Sequence, residues 1–400
     1  MVVAKKLKRR KIMAKTNNYP VVLVHGFLCW GSDDALDRVL PTFGMWNGSA
    51  KTTILEMGVP CYTPSVGPFS GMWDRACELY AHIKGGTVDY GKVHSERNGH
   101  ERFGDTYKAM VPNWGELDDE GKIQKINIVG HSFGGPTVRT LLNLLAEGSA
   151  EEREGTAKED LSPLFEGGKQ KWIHSCTTLA ATHSGVTLPD AGRPIVKPMA
   201  CACFGIANAA SGTALSRLYG FGLDRFGLSS KKKHIPLDVD KVKKLADRKE
   251  DNIFWELSTE GGSELTKDYK TYDNIYYFSY AGCRTSRKNI AGKNVMLPTK
   301  DMWLPLRLFS VFEGLYKDKD HDESWQANDG LVNVPCAAHP ANEPFEDFAS
   351  NDQCKPGIWY SMPIENKDHT SYMGVLESPE VYASFMREIA ERATSLPVIE

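Results

Sequence analysis

An α/β fold with a mostly parallel sheet is what this sequence predicts, and three observations carry the prediction. Short apolar runs of β type alternate with helical stretches, the pattern of strands covered by helices on both faces. One run, residues 123–129 (IQKINIV), leads directly into Gly130-His131-Ser132-Phe133-Gly134, and a helical pattern follows at residues 136–145. A chain of 400 residues is also long enough to bury a substantial core without cross-links.

The elements follow in chain order. Residues 20–24 (PVVLV) form a buried strand that stops at His25-Gly26-Phe27-Leu28. A Pro/Gly-rich loop, 64–71, precedes a helix over 72–84. Residues 85–113 are rich in Gly, His, Tyr and charge, with little periodicity, and read as a functional insertion. Residues 172–181 form a strand ending at Thr182-His183-Ser184-Gly185. The stretch 198–219 is apolar and rich in small residues, and fits either a buried helix pair or an amphipathic flap. Residues 275–281 are a strong strand. Residues 331–334 and 358–362 are expected as shorter ones, and 379–393 as a terminal amphipathic helix. The expected organisation is a basic tail over 1–18, disordered, and one domain over 19–400. That domain carries the insertion near 85–113 and a helical cover near 188–227.

Composition sets limits. Apolar content of 41% and charged content of 25% are ordinary for a globular chain, and a net charge of −3 excludes a bulk nucleic-acid binder. No run reaches about 18 apolar residues, so no transmembrane helix is expected. The basic N-terminus lacks the apolar stretch of a signal peptide. The nine cysteines have scattered spacing without C-x-x-C, and read as buried small hydrophobes rather than a disulfide framework.

The motif at 130–134 matches G-x-S-x-G in its strand–turn–helix context, the nucleophile elbow that presents a serine hydroxyl above a sheet. A serine needs a base, and the base needs a carboxylate. Chain order places both after Ser132. Asp329, in Asn328-Asp329-Gly330, is the candidate acid. Asp318, Asp320, Asp322 and Glu323 lie in a charged, solvated run. His369 is the candidate base, preferred over His321 and His339. The backbone N–H groups of Phe133 and Phe27 are the candidate oxyanion donors. In the insertion, His94 and His100 with Asp74 form a candidate zinc set, although two loop histidines more often only hydrogen-bond.

These motifs converge. PVVLVHGFLCWG at 20–31, WDRACELYAHIKGGTVDYG at 73–91, SPLFEGG at 162–168 and NDGLVN at 328–333 resemble the thermoalkalophilic, zinc-containing bacterial lipases of family I.5, which are α/β-hydrolases. The resemblance implies carboxylic ester hydrolysis of acylglycerols and related esters at an oil–water interface; bulky or polymeric esters are expected to fit only where the helical cover opens wide. It also implies an extracellular setting, with a cytoplasmic one not excluded by the chain shown. Ser132, Asp329 and His369 fall on the family's triad positions, and the apolar segment becomes a mobile lid. A structural zinc is implied at Asp74, His94, His100 and Asp224. The family's calcium site is expected to be absent or degraded: Ser371 replaces the acidic residue after His369, Leu376-Glu377-Ser378-Pro379 has altered register, and Gly314 supplies the carbonyl. Thr182 replaces a proline before His183, which is expected to be structural. Two competing readings are a hydrolase using metal-activated water and a catalytically silent binding protein of this fold.

Overall fold

The computed structural model describes residues 15–290 and 292–399. The strands, in chain order, are β1 (Val21–Val24), β2 (Cys61–Tyr62), β3 (Gly86–Asp89), β4 (Phe103–Tyr107), β5 (Ile126–His131), β6 (Ile173–Leu179), β7 (Tyr276–Tyr280), β8 (Thr285–Ile290), β9 (Lys293–Pro298), β10 (Phe345–Asp347) and β11 (Trp359–Ser361). Seven of them form one sheet in the order β10-β11-β7-β6-β5-β1-β2. Every pairing within it is parallel.

Side-chain alternation sorts the core onto two faces. Val22, Val24, Ile126 and Ile128 point to one face and meet Ala76, Leu79 and Ile83 of the Met72–Lys84 helix and Leu141 and Leu145 of the Gly134–Glu147 helix. Val21, Leu23, Val129, Leu179 and Phe278 point to the other and meet Tyr382, Phe385, Met386 and Ile389 of the Pro379–Ser395 helix. β5 is buried along its whole length, as expected of a central parallel strand covered on both sides.

The insertion is more regular than its sequence suggests. β3 and β4 pair antiparallel as a ribbon, and the Lys92–Asn98 helix bridges them. That helix lacks a side-chain cap of its own. Glu152, from the Ala150–Gly155 helix, instead accepts from the Val93 and His94 amides at 3.1 and 2.7 Å. A carboxylate on exposed helix N–H groups complements the helix dipole. Arg102 adds a two-pronged pair with Asp89 at 2.9 and 2.8 Å.

Three expectations change. Residues 331–334 do not form a strand. Asp329 Oδ1 accepts from the Leu331 and Val332 amides at 3.0 and 2.8 Å, so their N–H groups go to a turn rather than a ladder. A short helix, Val334–Ala338, starts directly afterwards with Pro335 in its first turn. The second change is a β8–β9 hairpin, which the sequence reading did not separate from its surroundings. Third, the expected disordered tail lies outside the described residues over 1–14, but its last residues are anchored. The Thr16 amide donates to Thr394 at 2.8 Å, and Asn17 is buried against His174.

No helix among the described residues is long and apolar enough to cross a membrane. The nine cysteines are free thiols.

His174 illustrates what burial does to titration. Burial, with Lys125 nearby, pushes its imidazole down to about 4, so it stays neutral in the folded chain while the unfolded chain protonates it near 6.5. The unfolded state therefore binds more protons over that interval, and stability falls as pH falls from 6.5 to 4. Replacing His174 with Gln should remove roughly 1 kcal/mol per pH unit from the stability slope between pH 6 and 5. Urea unfolding of both proteins at the two pH values reads this; equal slopes would refute it.

Candidate active site and metal centre

Ser132 sits at the tip of a left-handed turn between β5 and the Gly134–Glu147 helix, with φ of 56°. Non-glycine residues avoid this region, and strain of this kind persists only where the surroundings enforce it. The surroundings here are close backbones. A Cβ on Gly130 would meet Gly134 O at 2.5 Å, and one on Gly134 would meet Val24 O at 2.3 Å. Both motif glycines are thus required by close approach. Ser132 N donates to Leu179 O at 3.0 Å, tying the turn to the end of β6.

The loop after β1, the candidate oxyanion loop, presses on the serine from the other side. A Cβ on Gly26 would lie 2.6 Å from Ser132 Cβ. His25 holds this loop in shape: its Nδ1 pairs with Gly26 O at 3.0 Å, and its Nε2 accepts from the Val66 amide at 3.2 Å. That pattern needs a neutral ring, and burial, reinforced by Arg75, pushes its pKa down to about 3. The Phe27 amide has no acceptor among the described residues, as an oxyanion donor requires. The aromatic rings of Phe27 and Phe133 belong to one cluster with Phe69, Phe204, Phe221 and Phe254. Phe204 and Ala200 come from the Arg193–Ala209 helix, which spreads over the elbow. Ser132 is consequently only 9% exposed.

Asp329 and His369 meet although 40 residues separate them. Asp329 Oδ2 lies 2.9 Å from His369 Nδ1. A backbone bond from His369 N to Asp329 O, also 2.9 Å, fixes their register. Asp329 is fully buried, and its other oxygen is held by the Leu331 and Val332 amides. With Nδ1 so committed, Nε2 is the nitrogen left for proton transfer. His131 Nε2 donates to His369 O at 3.1 Å, and the two rings are 4.7 Å apart, which places His369 beside the elbow. Ser132 Oγ makes no hydrogen bond among the described residues. The rival histidines lie elsewhere: His321 pairs with Asp318, and His339 stacks on Phe345. His183 is fully buried with Nε2 on Thr178 Oγ1 at 3.1 Å, a packing role.

A second cluster assembles under the insertion. Asp74, His94, His100 and Asp251 bring one ligating atom each to within 4.8 Å of one another. His94 Nε2 is 3.1 Å from Asp74 Oδ1, and His100 Nε2 is 3.5 Å from Asp251 Oδ2. His100 Nδ1 donates to Glu101 O at 2.8 Å, which fixes the tautomer that leaves Nε2 as a ligand. Trp73 stacks on His94 at 5.0 Å, and Phe226 meets His100 edge-on. Apart from ion-pair contacts with one another and with the Arg225 guanidinium, both oxygens of Asp74, both of Asp251 and His100 Nε2 are buried without a hydrogen-bond partner. Burial and the neighbouring Asp74 push the Asp251 carboxyl up to about 7. Two buried carboxylates and two imidazoles converging without mutual hydrogen bonds are a donor set that fits a divalent metal ion.

The structure does not bring Asp224 into this set. It opens the Asp224–Phe226 turn at an exposed position, where its carboxylate accepts from Ser229 Oγ at 3.1 Å. The turn aims the next residue inward instead. Arg225 Nε contacts Asp74 Oδ2, and Nη2 lies 3.5 Å from Asp251 Oδ1. Asp251 was missed because it sits in the charged run RKEDN, where one carboxylate looks like any other. Its φ of 51°, tolerated by Asp better than by most residues, is invisible in sequence. Of the groups considered for calcium, Gly314 packs on Met296 O of β9, whereas Ser371 bonds Asp368.

Comparison with known proteins agrees with this architecture. Residues 17–391 match the family model described as lipase-like, C-terminal domain. The chain is 34% identical to a lipase of Staphylococcus epidermidis over 377 residues, covering 90% of this chain and 50% of that protein. It thus spans about half the length of the curated relatives it matches. The crystal structure of Staphylococcus hyicus lipase superposes with a TM-score of 0.82 at 27% identity, covering 94% of this chain and 95% of that one. Lipase 1 from Pelosinus fermentans does so with a TM-score of 0.75 at 39% identity, covering 94% and 99%. Its all-parallel sheet, elbow and matched length place the chain in the lipase-like family of α/β-hydrolase fold.

Proposed function

We propose that the protein is a serine-dependent carboxylic ester hydrolase acting on acylglycerols and related esters through an acyl-enzyme. The observation that carries this reading is the 2.9 Å Asp329–His369 pair next to a serine held at φ 56°. Ser132 Oγ attacks the ester carbonyl while His369 Nε2 takes its proton. Asp329 stabilises the imidazolium. The Phe27 and Phe133 amides receive the oxyanion, in a site that Phe69, Phe204 and Phe254 keep dry. Collapse of the tetrahedral intermediate expels the alcohol, which takes the proton from His369. Water, deprotonated by the same imidazole, then releases the acid. Replacing Ser132 with Ala should lower kcat by about 10³-fold or more with the fold intact; parental activity would sink the assignment.

The metal reading is a structural zinc held by Asp74, His94, His100 and Asp251. Four protein donors would leave no open position for a water, as in structural rather than catalytic zinc. When bound, the ion would supply charge that binds the insertion to the chain at 251. Complete chelation should lower Tm by several degrees through linkage. Asp251→Asn should weaken zinc binding at least about tenfold, whereas Asp224→Asn should leave it near parental. Competition against a chromophoric chelator distinguishes the two, and the reverse order would restore Asp224 as the ligand.

The helical segment near 188–227 acts as a lid, since Ala200 and Phe204 pack on the rings beside Ser132. An extracellular setting agrees with an ester substrate presented at an oil–water interface. Hydrolysis of emulsified ester should outpace that of the same ester below its solubility limit. Equal specific rates would mean that the segment does not gate access.

A further inference from the structure

His369 and Asp329 both lie outside the strands and are joined by a single backbone bond, so the two loops that carry them need support from elsewhere in the fold. Arg284 is placed to supply it. It follows β7 and opens the β8–β9 hairpin, and its side chain is 11% exposed. Nε and Nη2 each donate to Asn366 O at 3.3 Å, and Nη1 donates to Asp301 O. Nη1 lies 3.5 Å from Asp368 Oδ2, and Nη2 lies 4.0 Å from Glu377 Oε1. The backbone of the same residue donates to Asn328 O at 3.1 Å and accepts from Thr299 N at 2.8 Å.

These contacts converge on the two triad loops. Asn328 precedes Asp329, and Asp368 precedes His369. Asp368 is fully buried and organises the His369–Met373 turn by accepting from Thr370 Oγ1, Ser371 N and Ser371 Oγ at 2.9, 3.0 and 3.1 Å. Its other oxygen accepts from the Trp303 amide at 2.8 Å. One guanidinium therefore joins the hairpin exit at 301, the approach to His369 at 366–368 and the start of the last helix at 377. A rigid planar fork with five donors can satisfy carbonyls and carboxylates from several directions at once. An ammonium has no such fixed geometry.

We propose that Arg284 is a positioning residue for the catalytic pair: seated on the Asp301 and Asn366 carbonyls and the Asp368 carboxylate, it holds His369 against Asp329. The proposal rests on the serine-hydrolase reading above. Its consequence is kinetic, because a displacement of about 1 Å at a reacting group can cost about 10²-fold in rate.

The test uses the full chain with a short, water-soluble ester, 20 °C below each variant's Tm. Arg284→Ala should lose kcat about 10- to 100-fold with KM within about twofold. The acidic limb of its kcat profile should move to lower pH, since an imidazolium less well held by Asp329 loses its proton more readily. Guanidinium at tens of millimolar should restore part of the rate, and Arg284→Lys should fall between parent and Ala. A lower Tm with kcat and acidic limb unchanged would mean that Arg284 only supports the fold, and would overturn the proposal. Should Arg284→Ala fail to fold, Arg284→Lys decides: parental kcat with an unmoved acidic limb overturns it. Ser132→Ala run alongside separates the two failures. Activity surviving in Ser132→Ala removes the underlying reading, whereas a dead Ser132→Ala beside a fully active Arg284→Ala removes this proposal alone.

Discussion

The arrangement depends on one buried cation, Arg75. Its guanidinium is fully enclosed, a placement that costs several kcal/mol of lost hydration unless every donor finds an acceptor. Here Nε donates to Thr137 Oγ1 at 2.8 Å, Nη1 to Gly67 O at 2.7 Å and Nη2 to His25 O. Those acceptors belong to the helix behind the nucleophile, the loop before the Met72–Lys84 helix and the oxyanion loop. Burial lowers the pKa only to about 10, so the charge persists at neutral pH, and each bond is charge-assisted, worth roughly 1.5–3 kcal/mol. The loop after β1 and the Gly134–Glu147 helix are therefore held at fixed separation by a group that cannot leave without stranding itself in the core. The preceding residue, Asp74, turns from the same helix to the His94, His100 and Asp251 cluster. Consecutive helical positions thus serve the elbow and the insertion, and the helix is the rigid member between them.

How much of this was legible depended on how local each constraint is. The elbow could be read because its strain lies within five residues and needs glycines at two of them. The Met72–Lys84 helix could be read because its apolar period and terminal Gly85 are local too. Asp329 was legible as a turn residue, but the same turn was mistaken at 331–334. There a β-type run of Leu and Val gives its amides to a carboxylate side chain, and periodicity carries no information about that choice. Asp251 and Arg284 were not legible at all. Their roles arise from contacts across 177 and 84 positions, Asp74 to Asp251 and Arg284 to Asp368, in stretches where charged residues are common.

The aromatic cluster around Phe27 and Phe133 belongs to two structures at once. To the fold it is a core, joining Phe204 of the helical cover with Leu223, Leu228, Val242 and Leu245. To the site it is the wall beside the nucleophile. On the proposed reading, opening the cover would exchange protein contacts for water or for an acyl chain. On that reading a lipid phase, which offers apolar contacts, would lower the cost of the exchange, whereas bulk water would not.

The anchoring of the described N-terminal residues has a geometric consequence. Thr16 and Asn17 bond to the end of the Pro379–Ser395 helix, and Tyr19 O accepts from Asn127 Nδ2 near the start of β5. Ser132 follows the end of that same strand. The two ends of the described chain therefore lie side by side near the start of β5, at the end of the strand remote from Ser132. Whatever pulls on either described end therefore loads the strand start and the last helix, with the length of β5 between that point and the turn at Ser132.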